Sequence, residues 1–226
     1  MDKLTMLSHI SLFDELSKEE LMTIDKMSEM RPVKKGTVIV SPDHPMEALF
    51  LLKQGQVRLY QMNEEGKQFT MDILVDGNIF GETGSVTLTD DQIYAEAMTD
   101  TYLCLLSHND FENFIEANPK IALKLIDILS SRLKDFYSFS EKIALRDVKH
   151  RLLYLLLMLS EKTGHRKNNW QSIEMKLTHQ DIAHMIGATR ETTSTVLSQL
   201  KKEGFLKKVR YFSVDADKTK EYLGLP

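Results

Sequence analysis

The 226-residue chain falls into three stretches that differ in the spacing of their apolar residues. Between residues 33 and 106, short apolar runs alternate with turns that contain glycine, at intervals of about 8–12 residues, which predicts the strands of a sandwich or barrel. From 119 to 146, apolar residues recur every three, four or seven positions, which predicts one long helix. Three shorter helical patterns and a pair of strand-like runs follow.

Polar residues at the ends of these runs predict individual boundaries. Ser17 precedes Lys-Glu-Glu and is expected to cap a short helix within residues 12–30. The segment Glu-Glu-Gly-Lys at 64–67 is typical of a hairpin turn. Asp147 is expected to begin a further helix over 148–162.

The long helical pattern has an apolar stripe that is more extended than a small β-domain needs for docking. Its seven-residue spacing favours pairing with the same helix of a second copy, although packing on its own domain is the alternative. The stripe predicts a dimer interface formed by Ile121, Leu125, Ile128, Leu129, Leu133 and Phe136.

Charge is divided unevenly along the chain, although the net charge is only −4. Residues 147–226 contain 14 Lys/Arg and 9 Asp/Glu, whereas residues 1–146 contain 15 and 24. A basic C-terminal third on an acidic body is typical of a nucleic-acid reader attached to another domain.

The single cysteine, Cys104, excludes a disulfide framework and a four-cysteine iron–sulfur cluster. The N-terminus has no basic start followed by a long apolar run, which predicts no signal peptide. The most apolar run, residues 152–160, is far shorter than the roughly 20 residues of a membrane helix. We therefore expect a cytoplasmic protein with no membrane partner.

Residues 179–198 match the pattern of a helix-turn-helix. Thr178 can cap a first helix, Gly187 suits the left-handed turn, and a second helix is expected from about Arg190 to Glu203. Ala183 is small where two helices would cross, while Thr193 stands where a larger aliphatic residue is commoner.

The second helix presents Arg190 and Glu191 first, and Ser194 and Thr195 one turn later, at the positions that reach base edges in the major groove. Residues 205–214 are expected to form a basic two-stranded wing. The predicted DNA-binding residues are Thr178, His179, Gln180, Thr189, Arg190, Glu191, Ser194, Thr195, Lys201 and Lys208.

Three separated segments resemble the CRP/FNR family of transcription regulators. They are LFLLKQGQVRLYQMNEEGKQFTMDILVDGNIFGE, similar to the family's β-roll, LRDVKHRLLYLL, similar to its hinge, and ATRETTSTVLSQLKKEGFL, similar to its recognition helix. Arg190 and Glu191 agree with the catabolite-activator version of that helix, but Thr195 departs from it.

The resemblance implies an α+β fold with three parts. These are a jelly-roll-like β-roll sensor at 1–110, a long dimerisation helix at 111–146, and a winged helix-turn-helix domain at 147–226. It also implies a homodimer on double-stranded DNA with a roughly palindromic operator, RNA polymerase as a partner, and an effector in the roll.

The loop GETGSVTLTDDQIYAEAMTD, residues 81–100, is where cyclic-nucleotide sensors of this family hold the phosphate with an Arg-Ser pair. Ile93 and Tyr94 occupy those two positions, and no Lys or Arg occurs between Lys67 and Lys120, against ten Asp/Glu in 68–119. Holding a phosphate there would be unfavourable. The effector-pocket residues implied by the resemblance are Gly81, Glu82, Thr83, Ile93, Tyr94, Phe136 and Tyr137.

Phe136 and Tyr137 replace the Thr-Ser pair that faces the base in those sensors, so cyclic AMP is not expected. A lone His44 or His108 is weak support for haem, and the histidine spacing before the hinge indicates no metal site. An uncharged or organic effector, a peptide or protein partner, or no effector remain open.

No nucleophile elbow, P-loop or dinucleotide fingerprint occurs, so no catalytic residue and no enzyme are expected. The alternatives to a DNA-binding regulator without cyclic AMP are a cyclic-nucleotide-responsive regulator of the same architecture and a dimeric β-roll binding module that does not bind DNA.

Overall fold

The computed structural model describes residues 3–83, 86–89 and 91–225. The side chains of five of these residues are outside the description: Lys3, Leu4, Met6, Ile143 and Ala144. The chain forms two compact units, Met1–Lys134 and Asp135–Pro226.

The first unit combines strands with helices at its two ends. Its helices are α1 (Lys3–Ser8), α2 (Lys18–Met27), α3 (His108–Ala117) and the first part of α4 (Lys120–Leu145). Its strands are β1 (Glu29–Val33), β2 (Val38–Val40), β3 (Ala48–Gln54), β4 (Val57–Met62), β5 (Gln68–Leu74), β6 (Ile79–Thr83), β7 (Val86–Thr87), β8 (Tyr94–Ala97) and β9 (Thr101–Ser107).

These strands form two antiparallel sheets, in the orders β1-β9-β3-β6-β7 and β2-β8-β4-β5. Apolar side chains from both sheets meet in one core, in which Phe50 stacks on Phe80 with ring centroids 4.9 Å apart. The other face of β3 joins the helices in a second core, where Leu49 and Leu51 pack with α1, α2, α3 and the start of α4. Alternation along β3 therefore serves a core on each side of the sheet.

The structure corrects the first predicted helix and confirms its cap. Ser17 and Glu20 form a capping box, but the helix is limited to Lys18–Met27. Residues Glu29–Val33 instead form β1, which pairs antiparallel with β9. The hairpin turn at 64–67 is confirmed, since it joins the paired strands β4 and β5.

The long helix α4 carries two apolar faces, which corrects the predicted dimer stripe. Ile121 and Leu125 are only 2 % and 5 % exposed because they lie in the helical core of the first unit, and Ile128 packs against that core. Ile121 and Leu125 are therefore unavailable to a partner, and Ile128 is only partly exposed. The exposed apolar face of α4 consists of Leu123, Ile126, Leu129, Leu133, Phe136 and Tyr137.

The second unit packs helices against a small sheet. Its helices after α4 are α5 (Val148–Thr163), α6 (His179–Ile186), α7 (Arg190–Lys202) and α8 (Ala216–Leu223). Its strands are β10 (Arg166–Lys167), β11 (Trp170–Ser172), β12 (Leu206–Lys208) and β13 (Phe212–Asp215), in the sheet order β10-β11-β13-β12. The predicted cap of α5 is confirmed, because the Asp147 carboxylate accepts from the backbone N–H of His150 at 2.8 Å.

The sheet of this unit is larger than the predicted two-stranded wing. Strands β12 and β13 match that wing, and the β10–β11 hairpin adds to β13 through pairs such as Gln171 with Val214. Trp170 belongs to this hairpin, and the ammonium nitrogen of Lys207 lies 4.0 Å from the centre of its ring.

Candidate nucleic-acid interface and effector site

Helices α6 and α7 are joined by the turn that the sequence predicts. Thr178 and Asp181 form a capping box at the start of α6, and Gly187 ends that helix in the left-handed region with φ 60°. Thr189 then caps α7, because its side chain accepts from the backbone N–H of Thr192 at 3.1 Å. Ala183 is fully buried where the two helices meet. The helix-turn-helix geometry is therefore built from local signals.

Helix α7 buries one face and exposes the other. Leu197, Leu200 and Thr193 are inaccessible to solvent. The Thr193 hydroxyl donates to the Thr189 carbonyl at 2.9 Å, which explains how a hydroxyl is accommodated at a position that favours an aliphatic side chain. Arg190 and Glu191 are exposed at the N-terminal end of the helix.

The Ser194 side chain of α7 contacts a residue of α6. Its hydroxyl lies 2.7 Å from Nδ1 of His179, the first residue of α6. Burial together with the charges of Lys208, Lys201 and Arg190 lowers the pKa of His179. Predicted DNA-binding residues from α6, α7 and β12 thus converge around one imidazole.

The remaining predicted contacts lie nearby on the same elements. Gln180 is exposed on α6, with its side chain 2.6 Å from Nε2 of His184, and Thr195 is exposed on α7. The ammonium groups of Lys208 and Lys201 lie 4.2 Å and 5.8 Å from the ring centre of Phe212. The Phe212 ring of the wing therefore makes cation–π contacts with both lysines.

In the first unit, the backbone conformation and the close packing at residue 81 require a glycine. It adopts φ 101°, and a side chain at this position would collide with the Ala48 carbonyl and the Phe50 ring. Its own N–H donates to the Thr89 hydroxyl at 3.1 Å. Gly81 thus has a structural role in the pairing of β6 with β3, whatever binds nearby. Gly84, Ser85 and Asp90 of the same loop lie outside the described residues.

The two residues after Gly81 also have partners within the unit. Thr83 is fully buried, and its hydroxyl lies 2.7 Å from Nδ1 of His108 at the start of α3. The Glu82 carboxylate accepts from the Thr87 hydroxyl at 3.4 Å.

Ile93 and Tyr94 are both engaged in packing. Ile93 packs against the core between the two sheets. Tyr94 stacks on Tyr60 with ring centroids 5.1 Å apart. The Arg58 guanidinium also lies 4.2 Å from the centre of the Tyr60 ring and pairs with Glu96 at 2.8 Å.

Two arginines of the first unit lie outside the cation-free window of 68–119 in sequence but contact residues within it, which sequence reasoning missed. Arg58 on β4 is committed to Glu96 and to the Gln68 side chain at 3.0 Å. Arg132 on α4 donates to the Ile79 carbonyl at 2.5 Å, and its burial lowers the pKa of the guanidinium. Spacing along the chain did not reveal these contacts because both residues are distant in sequence from the loop.

Phe136 and Tyr137 lie on α4 within the second unit. They are 50 % and 64 % exposed, and their ring centroids are 6.4 Å apart. The other predicted pocket residues belong to the first unit, on β6, on β8 and beside β8.

Within residues 3–83, 86–89 and 91–225, no cluster of three His, Cys, Asp or Glu side chains is suited to holding a metal ion. Among the described helices, none combines the length and apolar character needed to cross a membrane.

Comparison with known proteins decides the family. The model of the cyclic nucleotide-binding domain matches residues 30–118, and the model of the Crp-like helix-turn-helix domain matches residues 150–218. The transcriptional regulator SdrP of Thermus thermophilus is 32 % identical over 178 residues, which cover 77 % of this chain and 83 % of SdrP. The chain belongs to the CRP/FNR family of transcription regulators.

Other members of the CRP/FNR family are similar along nearly the whole chain. A mutant of CooA from Carboxydothermus hydrogenoformans superposes with a TM-score of 0.76 at 27 % identity, covering 94 % of both chains. The cyclic AMP receptor protein of Thermus thermophilus is 27 % identical over 87 % of this chain and 88 % of its own length. These likenesses confirm the predicted fold class and the helix-turn-helix, and the family consists of transcription regulators rather than enzymes.

Proposed function

We propose that this CRP/FNR-type regulator acts in the cytoplasm as a homodimer that reads a roughly palindromic DNA operator and is not controlled by cyclic AMP. The observation that carries the DNA part is the exposed N-terminal end of α7, where Arg190 and Glu191 stand. Lys201 in the last turn of α7 and Lys208 of β12 add cations in the same unit, at the Phe212 ring.

Each exposed side chain has a chemically defined role at DNA. Arg190 can donate two hydrogen bonds to a guanine, and Glu191 can accept from the amino group of a cytosine. Thr178, Gln180, Thr189, Lys201 and Lys208 contact phosphates and fix the position of the helix in the groove. Thr195 lacks a charged group, so we expect one or two strongly read base pairs in each half-site.

The exposed apolar face of α4 supports the homodimer. Leu123, Ile126, Leu129, Leu133 and Phe136 recur at helical spacing on a face that borders the buried Ile121 and Leu125. Such a face is stabilised when it pairs with the same face of a second copy, as in a coiled coil. The two-fold symmetry of the dimer would then match a palindromic operator. Within this scheme, residues 1–110, 111–146 and 147–226 serve as sensor, dimerisation segment and DNA reader, and the DNA-bound dimer recruits RNA polymerase.

The independence from cyclic AMP rests on the loop of the β-roll. Ile93 packs into the core, and Tyr94 stacks on Tyr60. Arg58 is already paired with Glu96. None of these arrangements offers the Arg-Ser grip of the cyclic-nucleotide sensors, and an anion without a paired cation would be disfavoured.

The DNA part is tested by selection from a random duplex pool, followed by binding measurements in a salt series. Affinity for the recovered duplex should fall steeply with salt. Arg190→Ala should weaken binding to that duplex by about ten- to a hundredfold, and much less to a random duplex. Lys18→Ala, at an exposed position of α2, is the charge-matched control and should leave both affinities unchanged. Equal losses on both duplexes would restrict Arg190 to phosphate contact.

Native mass spectrometry tests the dimer and the effector together. The freshly purified protein should show the mass of a dimer, and Leu133→Glu should convert it to monomer by placing a charge on the exposed apolar face of α4. Ser131→Glu adds the same side chain elsewhere on α4 and should leave the dimer intact. A retained mass that matches cyclic AMP would contradict the proposed independence.

A further inference from the structure

His179 occupies an unusual place within the proposed DNA-binding surface. It is the first residue of α6, its ring is half-buried, and its Nδ1 lies 2.7 Å from the Ser194 hydroxyl on α7. The hydrogen bond therefore joins the helix that crosses the DNA backbone to a residue that faces the bases.

The charged groups around the ring are almost all cations. Arg190 and Lys201 approach from α7, and Lys208 approaches from β12. On its own helix, the Asp181 carboxylate accepts from the backbone N–H and the hydroxyl of Thr178 in the capping box. Partial burial of the imidazole and the three positive charges around it both oppose its protonation, so the pKa of His179 lies below the usual value of 6.5.

DNA would reverse this electrostatic balance. A phosphate that lies beside Lys201 and Lys208 neutralises two of the charges that oppose protonation and adds a negative charge within reach of the ring. The imidazolium then has a partner, and its Nδ1–H can donate to Ser194, which leaves the serine hydroxyl proton for a base acceptor.

We propose that His179 is a positioning residue whose protonation is linked to DNA binding. Its imidazole is neutral in the free protein and takes up a proton when DNA binds. Acidification therefore increases the affinity for DNA and orients the Ser194 hydroxyl. This inference rests on the proposed DNA binding. If the imidazole pKa is below its ordinary value in the free protein and above that value in the complex, the added affinity is fully present below the free-state pKa. It is lost as the pH rises through the pKa of the complex.

The test uses the full chain and the duplex recovered from the random pool. Proton uptake is measured by calorimetry in two buffers of different ionisation enthalpy, and Kd is measured from pH 5.5 to 8.5. We expect uptake approaching one proton per subunit, with Kd tightening by up to about tenfold for each pH unit and each proton taken up.

Variants separate His179 from other titrating groups. His179→Gln should bind weakly with a flat pH profile, and His179→Arg should bind tightly with a flat profile because its charge is permanent. His165→Gln, at a histidine outside the proposed interface, should keep the profile of the unmodified protein. Proton NMR of the imidazole, assigned by its loss in His179→Gln, should show the ring pKa rising when the duplex is added.

The outcomes distinguish this inference from the proposed function. If the unmodified protein binds no duplex, both are wrong. If it binds DNA with no proton uptake, or if His179→Gln keeps the full pH dependence, only the role of His179 is wrong. An NMR pKa that is the same with and without DNA also overturns it.

Discussion

Two glycines with positive φ, one in each unit, show that this backbone conformation can serve different ends. Gly187 adopts φ 60° between α6 and α7, and Gly81 adopts φ 101° in β6. The side chains that follow Gly187 point to solvent at Arg190 and Glu191. Those near Gly81 are committed within their own unit, as Thr83 is to His108.

The difference teaches that a glycine with positive φ does not by itself establish what the segment around it binds. At α7, exposure of charged side chains leaves hydrogen-bonding groups available for a ligand. In the β-roll, Tyr94 has a stacking partner in Tyr60 and Ile93 a packing partner in the core. The engagement of neighbouring side chains is therefore more informative about function than the glycine itself.

The largest expected effect would come from Gly81→Ala. The added methyl group would meet the Ala48 carbonyl and the Phe50 ring, in a backbone conformation that already disfavours a side chain. We expect a loss of about 3 kcal/mol in the free energy of unfolding, measured by urea denaturation.

Gly66→Ala is the matched control for this substitution. Gly66 has φ 77°, with open space where a side chain would be built. Its loss should be limited to backbone strain of about 1 kcal/mol. Equal losses at the two glycines would show that close contact at Gly81 is unimportant.

A smaller effect is expected from Tyr94→Ser, which restores the serine of the phosphate grip and removes the stacking on Tyr60. The unfolding free energy should fall by about 1.5 kcal/mol, from the lost aromatic pair and some lost burial. Thermal denaturation with and without cyclic AMP should show no stabilisation by the nucleotide in either protein.

The double variant Ile93→Arg with Tyr94→Ser sharpens the comparison further. If it gained stabilisation by cyclic AMP while the unmodified protein showed none, the altered-loop interpretation would be supported. If the unmodified protein were stabilised by cyclic AMP, the loop would be available to a ligand, as α7 is.

The smallest expected effect lies in the helix-turn-helix, at Thr193→Val. The Thr189 carbonyl keeps its bond from the backbone N–H of residue 193 at 3.0 Å, so the hydroxyl is replaceable without leaving an acceptor unpaired. We expect a gain of about 0.5 kcal/mol in unfolding free energy, with unchanged DNA affinity. A loss above about 1 kcal/mol would mean that the hydroxyl has a structural role of its own.

Much of the fold could be predicted where a local signal coincides with an element boundary. The caps Ser17, Asp147 and Thr178 and the turn at Gly187 are such signals, and each lies where the sequence predicts it. The strand β1 was missed because Glu29–Val33 is exposed for most of its length and contains Pro32, so it shows no apolar alternation.

The β10–β11 hairpin was missed although it carried a usable signal. Asn168 adopts φ 56°, and an Asn-Asn pair between Lys167 and Trp170 suits a two-residue hairpin turn. Helix α8 was missed because it is short and mostly polar.

The candidate sites were predictable only in part, for a physical reason. Periodicity places Ile121 and Leu133 on one apolar stripe, but it does not reveal which part of that stripe the same chain covers. Similarly, the pairing of His179 with Ser194 joins residues fifteen positions apart on two helices, and it depends on how these helices cross. Such contacts follow from tertiary packing rather than from local pattern.

The position of Trp170, whose ring contacts Lys207, has a practical consequence. Trp170 is the single tryptophan of the chain, and it lies in the sheet of the second unit. Its fluorescence therefore reports the unfolding of that unit alone, while circular dichroism records helices and strands of both. Coincident transitions in the two signals would show that the sensor and the DNA reader melt as a single cooperative system.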